Sequence, residues 1–121
     1  MGIKKIENPI LWGLDGINLN EHNDGAFILA KNGKEIIGYC MLWINKDEKW
    51  EVGFGILPEY HRQGIGTKLL GKVLFRAKEL EINEIIANPK KMNLPSISFL
   101  KANGFKQVAE DEKHVFLKRE I

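Results

Sequence analysis

Residues 51–70 read EVGFGILPEYHRQGIGTKLL and contain the most informative pattern of the chain. A strand-like apolar sequence ends at Pro58, and a helix-like sequence begins around Gly64-Ile65-Gly66. The first turn of a helix presents free backbone N–H groups at the positive end of the helix dipole, and glycines let an anion approach those groups closely. We therefore predict a phosphate-binding turn between this strand and this helix, with Arg62 as an additional positive charge.

Two common phosphate-binding loops do not fit this turn. The P-loop requires Lys-Ser/Thr directly after its last glycine, whereas Gly66 is followed by Thr67-Lys68, the reverse order. The dinucleotide fingerprint Gly-x-Gly-x-x-Gly requires a third glycine at a position that holds Leu69. The sequence therefore favours neither a nucleoside triphosphatase nor a dinucleotide-binding protein.

The same stretch closely resembles the acyl-CoA-binding core of the GNAT superfamily of N-acyltransferases. In that family a strand ending in Val-x-Pro-Glu-Tyr leads into Arg/Gln-x-x-Gly-x-Gly/Ala and a helix. Residues 93–105, NLPSISFLKANGF, resemble a later helix of the family, usually Asn-x-x-Ser/Ala-Ile-x-Phe-Tyr-x-x-x-Gly-Phe. The two blocks occur in the family's order, and the resemblance covers roughly residues 26–121.

The hydrophobic pattern predicts strands and two helices in a mixed order. Residues 27–30 and 35–44 are expected to form a β-hairpin around Asn32-Gly33, a pair suited to a type I′ turn. Amphipathic helices are expected after Gly66 and from Asn93 to Asn103. Further strands are expected at 50–57, 82–87, 105–109 and 115–118, with a strand at 3–7 and one or two helical turns at 10–19 near the N-terminus.

The resemblance implies an α/β (α+β) fold: a mixed, mostly antiparallel sheet with a central splayed strand pair and two crossover helices. Residues 1–121 are expected to form a single domain of this kind. The pantetheine arm of the cofactor inserts between the splayed strands in the family. The implied cofactor-binding residues are Phe54, Gly55 and Ile56 through their backbone, Arg62, Gln63, Gly64, Ile65, Gly66 and Thr67 around the pyrophosphate, and Asn93. For Asn93, a pantetheine contact and a simple helix cap remain equally open.

The activity implied by the resemblance is N-acetylation with acetyl-CoA as the acyl donor and no metal. A primary amine of a small molecule or protein would attack the thioester directly in a ternary complex, and a backbone N–H near Ile56 would stabilise the oxyanion. Glu51 matches the family's general base, although a paired or exposed edge carboxylate is an equally good interpretation. The tyrosine that often protonates the leaving thiolate is replaced by Leu100. Tyr60 and Tyr39 are alternative donors.

A second class of function also fits the sequence. The loss of the acid at Leu100 is compatible with a catalytically weak acyl-CoA-binding module that acts as a sensor or interaction protein. A strand-following glutamate of some family members is Asn88 here. Only about 25 residues precede the hairpin, so the acceptor side is expected to be either open or completed by a second subunit in a homodimer.

Composition and charge limit the partners. With 44% hydrophobic and 28% charged residues, the 121-residue chain is typical of a globular protein. The net charge of +2 and the scattered basic doublets do not favour nucleic acid. The longest nearly apolar stretch, 36–44, is half of a membrane span, and the first residues lead into no signal-peptide core, so a cytoplasmic location without membrane association is expected. The single Cys40 fits a reducing compartment.

Overall fold

The computed structural model describes residues 10–20 and 23–121, with side chains described from Gly25 onward. Its strands all belong to one seven-stranded sheet in the order β1-β2-β3-β4-β5-β7-β6. The strands are β1 (Ile10–Asn20), β2 (Asn23–Asn32), β3 (Glu35–Ile44), β4 (Trp50–Ile56), β5 (Glu84–Ala87), β6 (Lys106–Glu110) and β7 (Val115–Glu120). A 3₁₀ turn (Pro58–Tyr60) precedes helix α1 (Ile65–Glu79), and helix α2 (Leu94–Ala102) connects β5 to β6.

The sheet opens between its two central strands. Every pair of neighbouring strands is antiparallel except β4 and β5, which are parallel and in register only at Glu51 and Ile86. Strand β4 continues to Ile56 with no partner on its β5 side, because β5 ends at Ala87. We call the opening beyond the Glu51–Ile86 pair the gap. The mixed sheet with a splayed central pair and two crossover helices is thus confirmed.

Helix α1 covers the centre of one face of the sheet. Its spacing of apolar residues predicted a core-docking face, and Leu69, Val73 and Ala77 on that face are completely buried. The facing strands contribute equally buried side chains, among them Leu42 of β3 and Ile85 of β5. Burial of this continuous apolar layer fixes the position of α1, and with it the position of the turn that begins the helix.

The prediction of helical turns at 10–19 is wrong. These residues belong to β1, which pairs antiparallel with β2 through matches such as Trp12 with Leu29 and Leu14 with Phe27. Gly13 disfavours a helix, and β2 offers a free edge with which the backbone pairs, so sheet hydrogen bonding determines the local structure. The strand predicted at 3–7 lies outside the described residues.

The β2–β3 hairpin forms where it was expected, but its turn differs from the predicted type. Asn32 pairs with Glu35, so the two loop residues are Gly33 and Lys34. Gly33 has a φ of 60°, whereas Lys34 has no positive φ. A positive φ at the first central residue alone is the pattern of a type II′ turn, for which glycine is the usual first residue. The strands predicted at 50–57, 82–87, 105–109 and 115–118 are each confirmed to within two residues at either end.

Candidate functional site

The turn before α1 presents backbone donors without any capping side chain. Gly64 is the N-cap residue in the left-handed region, with a φ of 77°, and makes no side-chain cap hydrogen bond. Arg62 also has a positive φ, 62°, and is exposed. The first turn of α1 contains no acidic side chain, and Thr67 within it is exposed. The N–H groups of the helix's first turn, which begins at Ile65, therefore suit an anion.

Gly66 has a packing role that the sequence did not reveal. A Cβ at this position would lie 3.2 Å from ring atoms of Phe99 and 3.3 Å from Cδ1 of Ile56. The Phe99 ring also meets the Phe54 ring edge-on, with centroids 5.1 Å apart. Gly66 thus allows α2 to approach both the first turn of α1 and the end of β4, so the two motif blocks contact each other.

The backbone of β4 turns alternate residues toward the gap. Hydrogen bonds to β3 occur at both ends of this strand pair, from Leu57 N to Ile37 O and from Asn45 N to Lys49 O, and the register between them is uninterrupted. Because successive residues of a strand direct their N–H and C=O groups to opposite sides, the odd-numbered residues of β4 bond to β3. The even-numbered residues direct these groups toward β5: the Val52 N–H bonds to β5 beside the Glu51–Ile86 pair, whereas both groups of Phe54 and Ile56 face the gap.

Gly55, the third predicted backbone contact, does not reach the gap. It pairs with Tyr39, so its N–H and C=O groups point to β3. A Cβ on Gly55 would lie 2.8 Å from Cε1 of Tyr39, and one on Gly53 would lie 3.2 Å from the Trp43 ring. These two glycines accommodate aromatic rings on the face of the sheet opposite α1. Trp43 and Trp50 are half-buried, and the side chain of Trp12 lies outside the described ones.

His61 contacts the end of β4 instead of extending along the turn. Its Nε2 donates a hydrogen bond to the carbonyl oxygen of Ile56 at 2.8 Å. This carbonyl belongs to the set that faces the gap. The imidazole therefore lies beside the Ile56 carbonyl group, for which the family resemblance implies a contact with pantetheine. In the same turn, Gln63 is half-buried and Arg62 is exposed.

Glu51 lies where the gap begins, and two amides hold its carboxylate. Asn45 Nδ2 donates to Glu51 Oε1 at 3.0 Å, and Asn88 Nδ2 approaches the same oxygen at 3.4 Å. Glu51 is directly opposite Trp43 in the sheet, and its neighbour Val52 is buried on the α1 side. The carboxylate therefore points to the face opposite α1, which supports the interpretation of Glu51 as a paired group and leaves its catalytic role a prediction.

Sequence reasoning missed the role of Asn45. A signal was available: Asn45 is followed by Asp47 in the β3–β4 turn, and an asparagine at the start of a turn commonly bonds to the backbone two residues on. The expected pairing of these strands would also have placed Asn45 on the same face as Glu51, two residues beyond the Trp43–Glu51 pair. Asn88 was identified only as a departure from the family pattern.

The candidate acids are not equivalent. Leu100 is 1% exposed in the core and has no proton to donate. Tyr60 is also 1% exposed, and its hydroxyl donates to Glu35 Oε1 at 2.6 Å and accepts from Asn32 Nδ2 at 3.2 Å. This hydroxyl fastens the β2–β3 turn to the segment before α1. Tyr39 is 39% exposed and shares the face of Glu51, so it is the better placed of the two tyrosines.

Asn93 caps α2. Its Oδ1 accepts a hydrogen bond from Ser96 N at 3.3 Å, and Pro95 lies in the first turn, where proline is well tolerated. The helix ends at Asn103-Gly104, where Gly104 has a φ of 90°. The cap interpretation is therefore confirmed. A contact between Asn93 and pantetheine stays a prediction.

Within residues 10–20 and 23–121, no group of three or more His, Cys, Asp or Glu residues is arranged to hold a metal ion. Among the helices of this part of the chain, none has both the length and the apolar character needed to cross a membrane.

Comparison with protein families places this geometry in a known context. A model of the acetyltransferase (GNAT) family matches residues 5–105. The chain belongs to the GNAT family. The match includes the turn before α1, all of β4 and the whole block at residues 93–105, so the family assignment and the site described above concern the same residues.

Two relatives of this GNAT chain are similar in sequence as well as in family. An N-alpha-acetyltransferase from Sulfurisphaera tokodaii is 30% identical over 98 residues, in a match that covers 70% of this chain and 59% of that protein. The PaiA N-acetyltransferase from Thermoplasma acidophilum, crystallised with coenzyme A, is 27% identical with a TM-score of 0.72 over 78% of this chain and 60% of its own. The chain thus spans about three fifths of each relative.

A third structure matches over nearly the whole length of both chains. It is a GNAT family acetyltransferase from Elizabethkingia anophelis with acetyl-CoA bound, and the match covers 95% of this chain and 99% of that one with a TM-score of 0.72. At 17% identity, this likeness concerns the GNAT fold alone.

Proposed function

We propose that this GNAT chain is an N-acetyltransferase that transfers an acetyl group from acetyl-CoA directly to a primary amine of a small molecule or protein. One observation carries the proposal: the gap between β4 and β5 joins an uncapped helix N-terminus at Gly64 to the carboxylate of Glu51. Similarity to an N-alpha-acetyltransferase and to a GNAT enzyme crystallised with coenzyme A supports this assignment.

The residues along the gap suit the parts of acetyl-CoA in order. The turn from Arg62 to Thr67 would hold the pyrophosphate through backbone N–H groups and the Arg62 guanidinium. The gap-facing groups of Phe54 and Ile56 would bond the pantetheine arm as an additional strand, since they have no partner on the β5 side. Asn93 would contribute its amide to the same arm, as the family resemblance implies.

The acceptor amine would approach from the opposite face. Helix α1 covers one side of the sheet, whereas Glu51, Trp43 and Tyr39 occupy the other. An amine must be neutral to attack a carbonyl, so a proton has to leave the ammonium before or during the reaction. Glu51 would receive it directly or through one water. A donor and an acceptor that enter from different faces would meet at the start of the gap.

Acetyl-CoA supplies an activated acyl group with a thiolate as the leaving group. The protein's part would be to present a backbone N–H group near Ile56, at the end of β4, where negative charge develops on the carbonyl oxygen. Because a thiol has a pKa of about 8.5, a thiolate leaves without a dedicated acid far more readily than an alkoxide does. The buried Leu100 is therefore compatible with turnover.

A second candidate function is a non-catalytic acyl-CoA-binding module. The observation in its favour is Leu100, which fills the core where a proton-donating tyrosine is usual in the family. Both candidates require acetyl-CoA binding at the turn before α1, but only the first requires amine-dependent release of coenzyme A. Binding and turnover must therefore be measured separately.

The binding test uses two variants that add the same charge to α1. Thr67→Glu places a carboxylate in the exposed first turn, where the helix dipole stabilises it but where it repels pyrophosphate. Gly71→Glu places one at an exposed position farther along, with no atoms within 4 Å of the new Cβ. Acetyl-CoA at 100 times its Kd should raise the free energy of unfolding of the wild type and of Gly71→Glu by about 2.7 kcal/mol. Their Tm should rise accordingly, whereas the Tm of Thr67→Glu should not change.

The turnover test follows release of coenzyme A with a panel of amines, including peptides with free N-termini. Glu51→Gln keeps an oxygen for the Asn45 amide and removes the base, so kcat should fall by roughly 10²-fold or more while the acetyl-CoA Tm shift persists. A Tm shift without amine-dependent release in the wild type would support the binding module instead. No shift in folded wild-type protein would contradict both candidates.

A further inference from the structure

We propose that Asn45 is a positioning residue for Glu51. The β3–β4 turn holds the Asn45 amide, and this amide orients the Glu51 carboxylate toward the acceptor. The inference rests on the proposed function, because it assigns Glu51 the role of base. It concerns a residue outside both motif blocks.

Both ends of the Asn45 amide are used. Its Oδ1 accepts hydrogen bonds from Asp47 N at 2.9 Å and Lys49 N at 3.1 Å, and its backbone bonds to Lys49 O and Glu48 N. These four interactions fix the side chain relative to the turn. Its Nδ2 is then directed at Glu51 Oε1, 3.0 Å away. An ionised aspartate could close this turn but could not also donate to the carboxylate, because its side chain carries no donor.

A second amide reaches the same oxygen from β5. Asn88 Nδ2 lies 3.4 Å from Glu51 Oε1, while Asn88 Oδ1 is buried and has no hydrogen-bond partner in the described part of the chain. A buried acceptor without a donor costs free energy. The amide of Asn88 is nevertheless oriented so that its NH₂ group bonds to the Glu51 carboxylate, which leaves its own oxygen without a donor. Strands β3 and β5 thus approach Glu51 from both sides of β4.

Two donors on one oxygen determine which oxygen is available. Among the described residues, no hydrogen bond reaches Glu51 Oε2. With Oε1 held by Asn45 and Asn88, the carboxylate cannot rotate without losing these bonds, and Oε2 is the oxygen left to accept a proton. A base must lie within hydrogen-bond reach of its proton, so holding the carboxylate in one rotamer affects the reaction step more than cofactor binding.

The experiment compares Asn45→Asp with Lys46→Gln. Asn45→Asp keeps an oxygen for Asp47 N and Lys49 N, removes the donor to Glu51, and adds a like charge beside it. Lys46→Gln makes the same change in net charge at the neighbouring exposed position of the turn. Both variants are assayed for the KM for acetyl-CoA, for kcat, and for the pH dependence of kcat with the best amine.

For Asn45→Asp we expect kcat at neutral pH to fall about tenfold or more and the acid limb of the profile to move to higher pH, because two adjacent carboxylates disfavour joint ionisation. The KM for acetyl-CoA should stay within about twofold, and Lys46→Gln should behave as the wild type. Thermal unfolding tests the contact without turnover: Asn45→Asp should lower Tm in the wild-type background and clearly less in the Glu51→Gln background.

The outcomes separate the two proposals. An active wild type whose Asn45→Asp variant keeps the wild-type kcat and pH profile would overturn the positioning role alone. Equal loss of kcat in Lys46→Gln would also overturn it, since charge in the turn would then be the cause. A wild type that neither binds acetyl-CoA nor releases coenzyme A would contradict the proposed function and this inference with it.

Discussion

His61 Nε2 donates to the carbonyl oxygen of Ile56 at 2.8 Å, at the residue where β4 ends. The bond places an imidazole beside one of the backbone groups that we assign to pantetheine. Acetyl-CoA binding should then require the ring to move or to share this oxygen.

For His61→Ala we expect tighter binding of acetyl-CoA. A hydrogen bond of this type contributes about 0.5–1.5 kcal/mol, so removing the competition should lower Kd by up to roughly tenfold. Isothermal titration calorimetry measures this directly. Weaker binding by His61→Ala would contradict this competition and would indicate that the ring contributes to cofactor binding.

Tyr60→Phe should cost stability and leave turnover intact. The Tyr60 hydroxyl bonds to Glu35 and Asn32 in a buried setting, and its removal should lower the free energy of unfolding by about 1–2 kcal/mol. The Tm would fall by several degrees, with kcat unchanged because this hydroxyl is committed to the hairpin. A large loss of kcat with little change in Tm would identify Tyr60 as the missing acid.

Cys40 should be inert in the folded protein. Burial raises the pKa of its thiol to about 12, since the charged thiolate is poorly solvated in the core. A disulfide reagent at pH 8 should label Cys40 only as fast as the protein unfolds, and fully in denaturant. The same property makes the reagent usable for detecting released coenzyme A. Rapid labelling of native protein would contradict the described packing around β3.

Two glycines of α1 should respond in opposite directions to alanine. A Cβ on Gly71 meets no atom within 4 Å, so Gly71→Ala should raise the free energy of unfolding by about 0.5–1 kcal/mol through helix propensity. Gly66→Ala should lower it, because the new Cβ crowds Phe99 and Ile56 at 3.2–3.3 Å. Urea unfolding of both variants measures the contrast. An equal gain in both would mean that α2 does not pack closely on this turn.

Asp111 should make the stability of the folded protein depend on pH in the acid range. Backbone N–H groups of His114 and Lys113 hold the pKa of its carboxyl below the usual value. A carboxyl whose pKa is lowered in the folded state stabilises the protein at pH values above its unfolded-state pKa, which is near 3.9. This stabilisation is lost as the pH falls through the folded-state pKa. Asp111→Asn should therefore have a lower Tm than the wild type at pH 6, and the difference should shrink below about pH 4. A difference independent of pH would contradict the assignment.

Local chemistry was enough to predict much of the molecule. The turn between β4 and α1, the cap at Asn93, Pro95 in the first turn of α2 and the left-handed Gly104 depend on residues within a few positions of one another. Each follows from backbone constraints on glycine and proline or from a short side chain that accepts a nearby N–H. The family resemblance added the splayed pair of strands, which single-residue preferences do not encode.

The features that were missed depend on contacts between distant residues. Residues 10–20 form a strand because β2 offers an edge, and Gly66 must be glycine partly because Phe99 approaches from α2. The amides of Asn45 and Asn88 meet at Glu51 only once three strands are aligned. Strand register determines which backbone groups of β4 face the gap and which side chain lies beside Glu51, and register is a property of the assembled sheet.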